Sequence, residues 1–160
     1  MRTDIDDRND TPLIAAQLKR SPSVAAIVVQ RCPTGYPLVI KNTGRSDDGA
    51  PFPTLYWLTC PEERLRVARL EAAGFIAELQ EILDENQDWR NRLLASDTAY
   101  RAERGAFDVE GGIAGCRDDF KVKCLHAHAA DWLVAGLNPV GERVIELAPV
   151  PDDCNRCDAL

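Results

Sequence analysis

At 160 residues, 45% of them hydrophobic and 28% charged, the chain has an ordinary globular composition and enough length to bury a sizeable core in one domain. A formal net charge of −7 argues against a nucleic-acid-binding surface, which is broadly basic. No apolar run approaches the roughly 20 residues that cross a bilayer, and the opening MRTDIDDRNDTP is acidic where a signal peptide is basic and then apolar. The expectation is a cytoplasmic protein with no membrane insertion.

Thr11-Pro12 opens a short helix through Leu18, with a capping hydroxyl followed by proline where its missing N–H costs nothing. Val24 to Gln30 is a β-branched run between turn residues and reads as a buried strand. The rigid turn Arg31-Cys32-Pro33-Thr34-Gly35-Tyr36-Pro37 leads to a second strand, Leu38 to Lys41. A Gly- and Asp-rich loop over 42–53 precedes a third strand, Thr54 to Thr59. Cys60-Pro61-Glu62-Glu63 begins a long helix that Gly74 breaks. Phe75 to Leu83 and Trp89 to Arg104 continue as helix, and Gly111 to Gly115 form a loop. Asp118 or Asp119 caps a helix from Phe120 to Ala135, which Gly136 ends, and Val144 to Leu147 is a short apolar element of undecided type.

The expected architecture is α+β: a small, mostly antiparallel sheet from the N-terminal third covered by C-terminal helices. Residues 1–148 form one domain and 149–160 a polar C-terminal tail.

Six cysteines stand in the chain. In a reducing compartment, scattered thiols serve as ligands, nucleophiles or core residues more often than as disulfides. On a helix through Lys123 to His128, Cys124 and His128 lie about 40° apart and one turn from each other, at one edge of an apolar face, while His126 is about 160° from His128. A later helix start would put His126 rather than His128 in the ligand role. Cys60, before Pro61, occupies a helix N-cap position, where unsatisfied N–H groups favour thiolate. Cys32 is held in a Pro/Gly turn at a strand end. Taken singly, each is as well explained by packing. Taken together, Cys32, Cys60, Cys124 and His128 make a candidate metal site, three thiols and an imidazole suiting zinc or an iron–sulfur cluster.

Cys154-Asn155-Arg156-Cys157 is a Cys-x-x-Cys pair outside any strand-to-helix context, placed to complete or compete for that site or to stand as two free thiols. Cys116 has no assigned role. Gly111 and Gly112, with Arg117 and Lys123, make a candidate anion cradle for a phosphate-bearing ligand, although a flexible connector explains the glycines as simply. Two alternatives stand beside metal binding. One is a thiol-dependent enzyme pairing Cys60 or Cys32 with His128 as base. The other is a non-catalytic interaction module with structural cysteines.

Arg31-Cys32-Pro33 with Gly35 and Pro37, Pro51-Phe52-Pro53-Thr54-Leu55-Tyr56 through Cys60-Pro61, Gly111 to Gly115, and Val122 to His128 occur here in one order. In these four motifs the chain resembles the DUF501 family of uncharacterised bacterial proteins, over roughly residues 13 to 147. The resemblance supports treating Cys32, Cys60, Cys124, His126 and His128 as a set and does not reach Cys154 and Cys157. Family members are often encoded near a septum-formation initiator and an exopolyphosphatase, which implies a tie to envelope or phosphate metabolism. Substrate and partners stay unknown.

Overall fold

The computed structural model describes residues 9–107 and 109–160. It is α+β, with three antiparallel strands in the N-terminal part followed by helices. Helix α1 (Thr11–Leu18) precedes β1 (Ala26–Arg31), β2 (Pro37–Asn42) and β3 (Tyr56–Leu58), paired in the order β1-β2-β3. Val28 sits opposite Ile40, and Ile40 opposite Trp57. Residues alternate between faces along a strand. Ile40 accordingly joins Ile14 and Leu18 of α1, with Val28 and Trp57 alongside. Its neighbour Val39 turns the other way, into the main core with Leu58.

The strand expected to be buried, Val24 to Gln30, starts later and lies at a sheet edge, with Ile27 exposed. The central strand is β2, in which Leu38, Val39 and Ile40 are all buried. A β-branched run signals strand structure, but only pairing on both sides makes a strand central.

Cys60 and Pro61 open α2 (Pro61–Ala72); Gly74, at φ 92°, takes a left-handed turn that an L side chain rarely adopts, and α3 (Phe75–Glu85) restarts at once. In α4 (Gln87–Gly105) the Asn86 side chain caps the helix by accepting from Trp89 N at 3.0 Å. Ile113–Gly115 make a single 3-10 turn.

Helix α5 (Leu125–Ala135) runs across the sheet and packs against α2, α4 and α6 (Pro139–Leu147). Leu125, Ala127, His128, Ala129, Ala130 and Asp131 are all buried. Such a helix needs small side chains wherever a neighbour comes close, and three of these six are alanine. The undecided apolar element over 144–147 is the end of α6, which starts at an Asn138 cap with Pro139 at the first helical position.

Helix α5 begins five residues later than expected. Gln80 of α3 holds the preceding segment open, accepting from Val122 N at 2.8 Å and donating to Phe120 O at 2.9 Å, and Phe120 takes a left-handed φ of 58°. Cys124 thus becomes the extended N-cap residue of α5, with φ −146° and ψ 116°.

Candidate metal centre

Placed at the cap and not within the helix, Cys124 does not share a helical face with His128. Its sulfur joins a carboxylate oxygen of Glu71 and a ring nitrogen of His126, and the three ligand atoms lie within 4.8 Å of one another. Two elements build this group: α2 supplies Glu71 near its C-terminal end, and the start of α5 supplies Cys124 and His126. Glu71 Oε1 also accepts Leu125 N at 2.8 Å. The carboxylate thereby satisfies one orphan donor at the α5 N-terminus and sits where the helix dipole favours negative charge.

The hydrogen bonds of His126 fix its tautomer. Nε2 lies 3.0 Å from the carbonyl oxygen of Arg64. A carbonyl only accepts, so Nε2 carries the proton and donates it. Nδ1 then faces Glu71 Oε1 at 3.2 Å, one acceptor against another in the neutral ring. A proton or a cation must stand between them. Burial alone would favour the neutral ring, but hydrogen bonds to Cys124 and the Arg64 carbonyl, with the negative charge of Glu71, push His126 up to about 9. The site is half-buried: the side chains of His126 and Glu71 keep 25% and 27% of their surface.

Close by on α2, Glu63 is fully buried, and neither carboxylate oxygen has a hydrogen-bond partner. Burial raises it to about 7, against the opposing charges of Arg66 and His126. An ionised carboxylate is rarely left this way without a proton or cation near it.

The four expected ligands separate into distinct surroundings. Cys124 belongs with Glu71 and His126. His128 is buried on the other flank of α5, where Asn138 Nδ2 lies 3.0 Å from its Nδ1 and 3.0 Å from Asp131 Oδ2. Its Nε2 has no partner of full hydrogen-bond geometry, the Lys121 backbone being the polar group that faces it. Burial lowers His128 to about 4, so the ring is neutral at ordinary pH.

Cys32 and Cys60 are both buried and lie apart from this group. Burial pushes the Cys60 thiol up to about 11, over the opposing pull of the Glu63 and Glu62 N–H groups. Those donors face the sulfur without forming a capping bond of full geometry. The N-cap effect expected from the sequence is therefore present and outweighed. For a Cys60–His128 nucleophilic pair, the thiol is raised, not lowered, and the imidazole is turned to Asn138.

The glycine loop holds a carboxylate of its own. Ile113 N donates to Asp97 Oδ1 at 3.1 Å, while Gly112 N and Gly115 N donate within the loop, to Cys116 O and Gly112 O at 2.9 Å each. A Cβ at Gly112 would overlap the Asp97 carboxylate, which would have to move aside. Of the donors expected to cradle a phosphate, the Gly112 N–H is thus engaged within the loop. A small cleft beside the loop is lined by Asp97, Cys116, Phe120, Lys121 and His128.

Glu71 is the member of the group that sequence reasoning missed. Its signal was faint: one carboxylate among many on a charged helix, meaningful only once α2 and α5 meet.

The sequence profile of the protein of unknown function DUF501 matches residues 28–146. The chain belongs to the DUF501 family. No curated protein and no solved structure matches it. The matched span contains Glu71, Cys124 and His126 as well as Cys32 and Cys60, and it ends before Cys154. Among the described residues of this DUF501 chain, no helix is long and apolar enough to cross a membrane.

Proposed function

We propose that this protein binds a metal ion, and that Glu71, Cys124 and His126 hold it. The supporting observation is the convergence of a thiol, a carboxylate and the Nδ1 of a histidine whose other nitrogen is committed to the Arg64 carbonyl. Ligating histidines typically donate their second nitrogen to a carbonyl or carboxylate in this way, which fixes the ring and raises its basicity. Zinc accepts all three donor types, and its ligand atoms stand roughly 3.3 to 3.8 Å apart around a tetrahedron. The 3.2 Å between Nδ1 and Oε1 is already close to that spacing.

One thiolate is too few for an iron–sulfur cluster at this place, so a single ion of zinc type is the better fit. Three protein ligands leave a fourth position for water or a substrate group, the arrangement of catalytic and not purely structural zinc. An imidazolium held by Glu71 and the Cys124 sulfur is the competing account of this contact, and zinc binding distinguishes the two. A cytoplasmic location, where thiols stay reduced, suits the proposal.

The test is zinc affinity by competition with a chromophoric chelator, for the native protein and for Cys124→Ser and His126→Ala. The proposal expects a site that each substitution weakens by at least about tenfold. An unchanged number of bound zinc ions in the doubly substituted protein would reject it.

A further inference from the structure

The segment after α6 folds back onto the first hairpin and the start of α2. Arg66 Nη1 donates to Pro149 O at 3.2 Å, and Arg156 Nε meets Glu62 Oε2 at 3.2 Å. Tyr36 OH donates to Asp158 Oδ1 at 2.7 Å. These contacts bring Cys154 and Cys157 to the place where Cys32 and Cys60 are held. Thr34 Oγ1 bridges two of the four, lying 3.1 Å from Cys32 Sγ and donating to Cys154 O at 3.1 Å. Gln17 Nε2 links the others: it reaches Cys157 Sγ at 3.4 Å and Pro37 O at 2.9 Å, the same carbonyl that accepts from Thr59 Oγ1, next to Cys60, at 3.4 Å. The thiols also feel one another electrostatically, Cys60 sensing Cys154 and Cys157, and Cys157 sensing Cys154 and Cys32.

Backbone turns fix the segments that carry Cys32 and Cys157. Gly35 N bonds to Cys32 O at 2.9 Å and Cys32 N to Tyr36 O at 2.9 Å; Asp158 N bonds to Asn155 O at 3.0 Å and Leu160 N to Cys157 O at 3.2 Å. Cys60 has the N–H groups of Glu62 and Glu63 facing it. All four are free thiols, and Cys32, Cys60 and Cys157 are buried. A second observation also points to a ligand. Gln17 is 2% exposed, its amide N–H aims at the Cys157 sulfur, and its Oε1 has no partner. A buried glutamine spent on a neutral thiol gains little, whereas an N–H donor to a metal-bound thiolate is an ordinary outer contact.

We propose that Cys32, Cys60, Cys154 and Cys157 form a tetrathiolate zinc site that clips residues 149–160 to the hairpin turn and the start of α2. Zinc binding displaces four thiol protons to solvent and leaves a site of charge −2; no oxidant or reductant is involved. Among the described residues, no three of these sulfurs come within 4.8 Å of one another, while sulfurs about 2.3 Å from one zinc ion stand about 3.8 Å apart. The proposal requires the four side chains to rotate so that their sulfurs converge on the ion. The site goes beyond the Glu71–Cys124–His126 centre and does not depend on it: the two share no ligand, and half of this one lies outside the span that defines the family.

The full chain, purified under reducing conditions, is assayed for bound zinc beside Cys154→Ser/Cys157→Ser and Cys124→Ser/His126→Ala, with circular dichroism confirming the fold of each. The quartet predicts that the first variant loses one equivalent, and that the second retains one with a four-thiolate cobalt charge-transfer spectrum on exchange. In the wild-type chain, zinc shields Cys32, Cys60, Cys154 and Cys157 from alkylation, and a strong chelator exposes all four together, a readout that needs no substitution. Unchanged zinc content after removing Cys154 and Cys157 overturns the proposal, as does alkylation of these four indifferent to zinc. A coloured, iron-containing protein overturns the zinc assignment. If the other centre fails and the quartet stands, Cys124→Ser/His126→Ala leaves the zinc content unchanged while Cys154→Ser/Cys157→Ser abolishes it.

Discussion

Gly141, in the first turn of α6, lies so close to the backbone carbonyl of His128 in α5 that a methyl group on its α-carbon would overlap that carbonyl and stand 2.6 Å from the Trp132 Cβ. The two helices meet backbone to backbone, which only glycine permits here. Gly141→Ala therefore forces α6 off α5 and costs about 1–3 kcal/mol in urea unfolding. Were the variant as stable as the wild type, the close approach of the two helices would be wrong.

Asn138 performs three tasks at that junction. Its Oδ1 caps α6 by accepting from Gly141 N at 3.1 Å, and its Nδ2 lies 3.0 Å from both Asp131 Oδ2 and His128 Nδ1. Asn138→Ala removes the cap and leaves two buried polar groups short of a partner. The expected loss is about 3 kcal/mol, combining a cap with an unsatisfied buried acceptor. Asn138→Ser restores the cap alone and should recover about 1 kcal/mol of it. Chemical denaturation of the pair measures both steps.

Glu63 gives stability a pH dependence of known sign. Burial holds its folded value at about 7, above the ordinary 4.5. Between those values the folded state keeps a proton that the unfolded chain has released. The contribution is intact below about pH 4.5 and is lost as pH rises through about 7. Glu63→Gln removes the charge that cannot be solvated, so it should stabilise the protein at pH 8 by about 2 kcal/mol, with the gain vanishing towards pH 4.5. Thermal melts across that range decide it, and a gain independent of pH would contradict the assignment.

Glu71→Gln separates the structural from the metal-binding role of that side chain. The amide oxygen still accepts Leu125 N, so metal-free stability should change by no more than about 1 kcal/mol. Zinc affinity should fall by at least about tenfold, because the anionic donor is gone. Calorimetric titration beside denaturant unfolding shows whether the two effects part company.

Much of this fold was legible in the sequence because the signals were local. Cys60-Pro61 announced α2, Gly74 broke it, and the Val/Ile runs marked strands. The start of α5 was not legible. Asp118 and Asp119 look like caps, but Gln80, far off in sequence, pins Phe120 and Val122 in an open conformation. That one contact decided the site. It moved Cys124 out of the helix, parted it from His128, and turned it towards His126 and Glu71. Asn138-Pro139 did carry the signal for α6, a cap residue followed by proline, and the shortness of the apolar run after it hid the helix.

The crossing of α5 over the sheet bears on how the protein is made. Val39 and Leu58 are in place once β3 has been synthesised, yet they share a core with Leu125 and Ala129, which emerge from the ribosome much later. Until then the face carrying Val39 and Leu58 has Val67, Leu83 and Tyr100 of α2, α3 and α4 to share its core but lacks α5. Contacts this distant along the chain slow folding and leave apolar surface open to association.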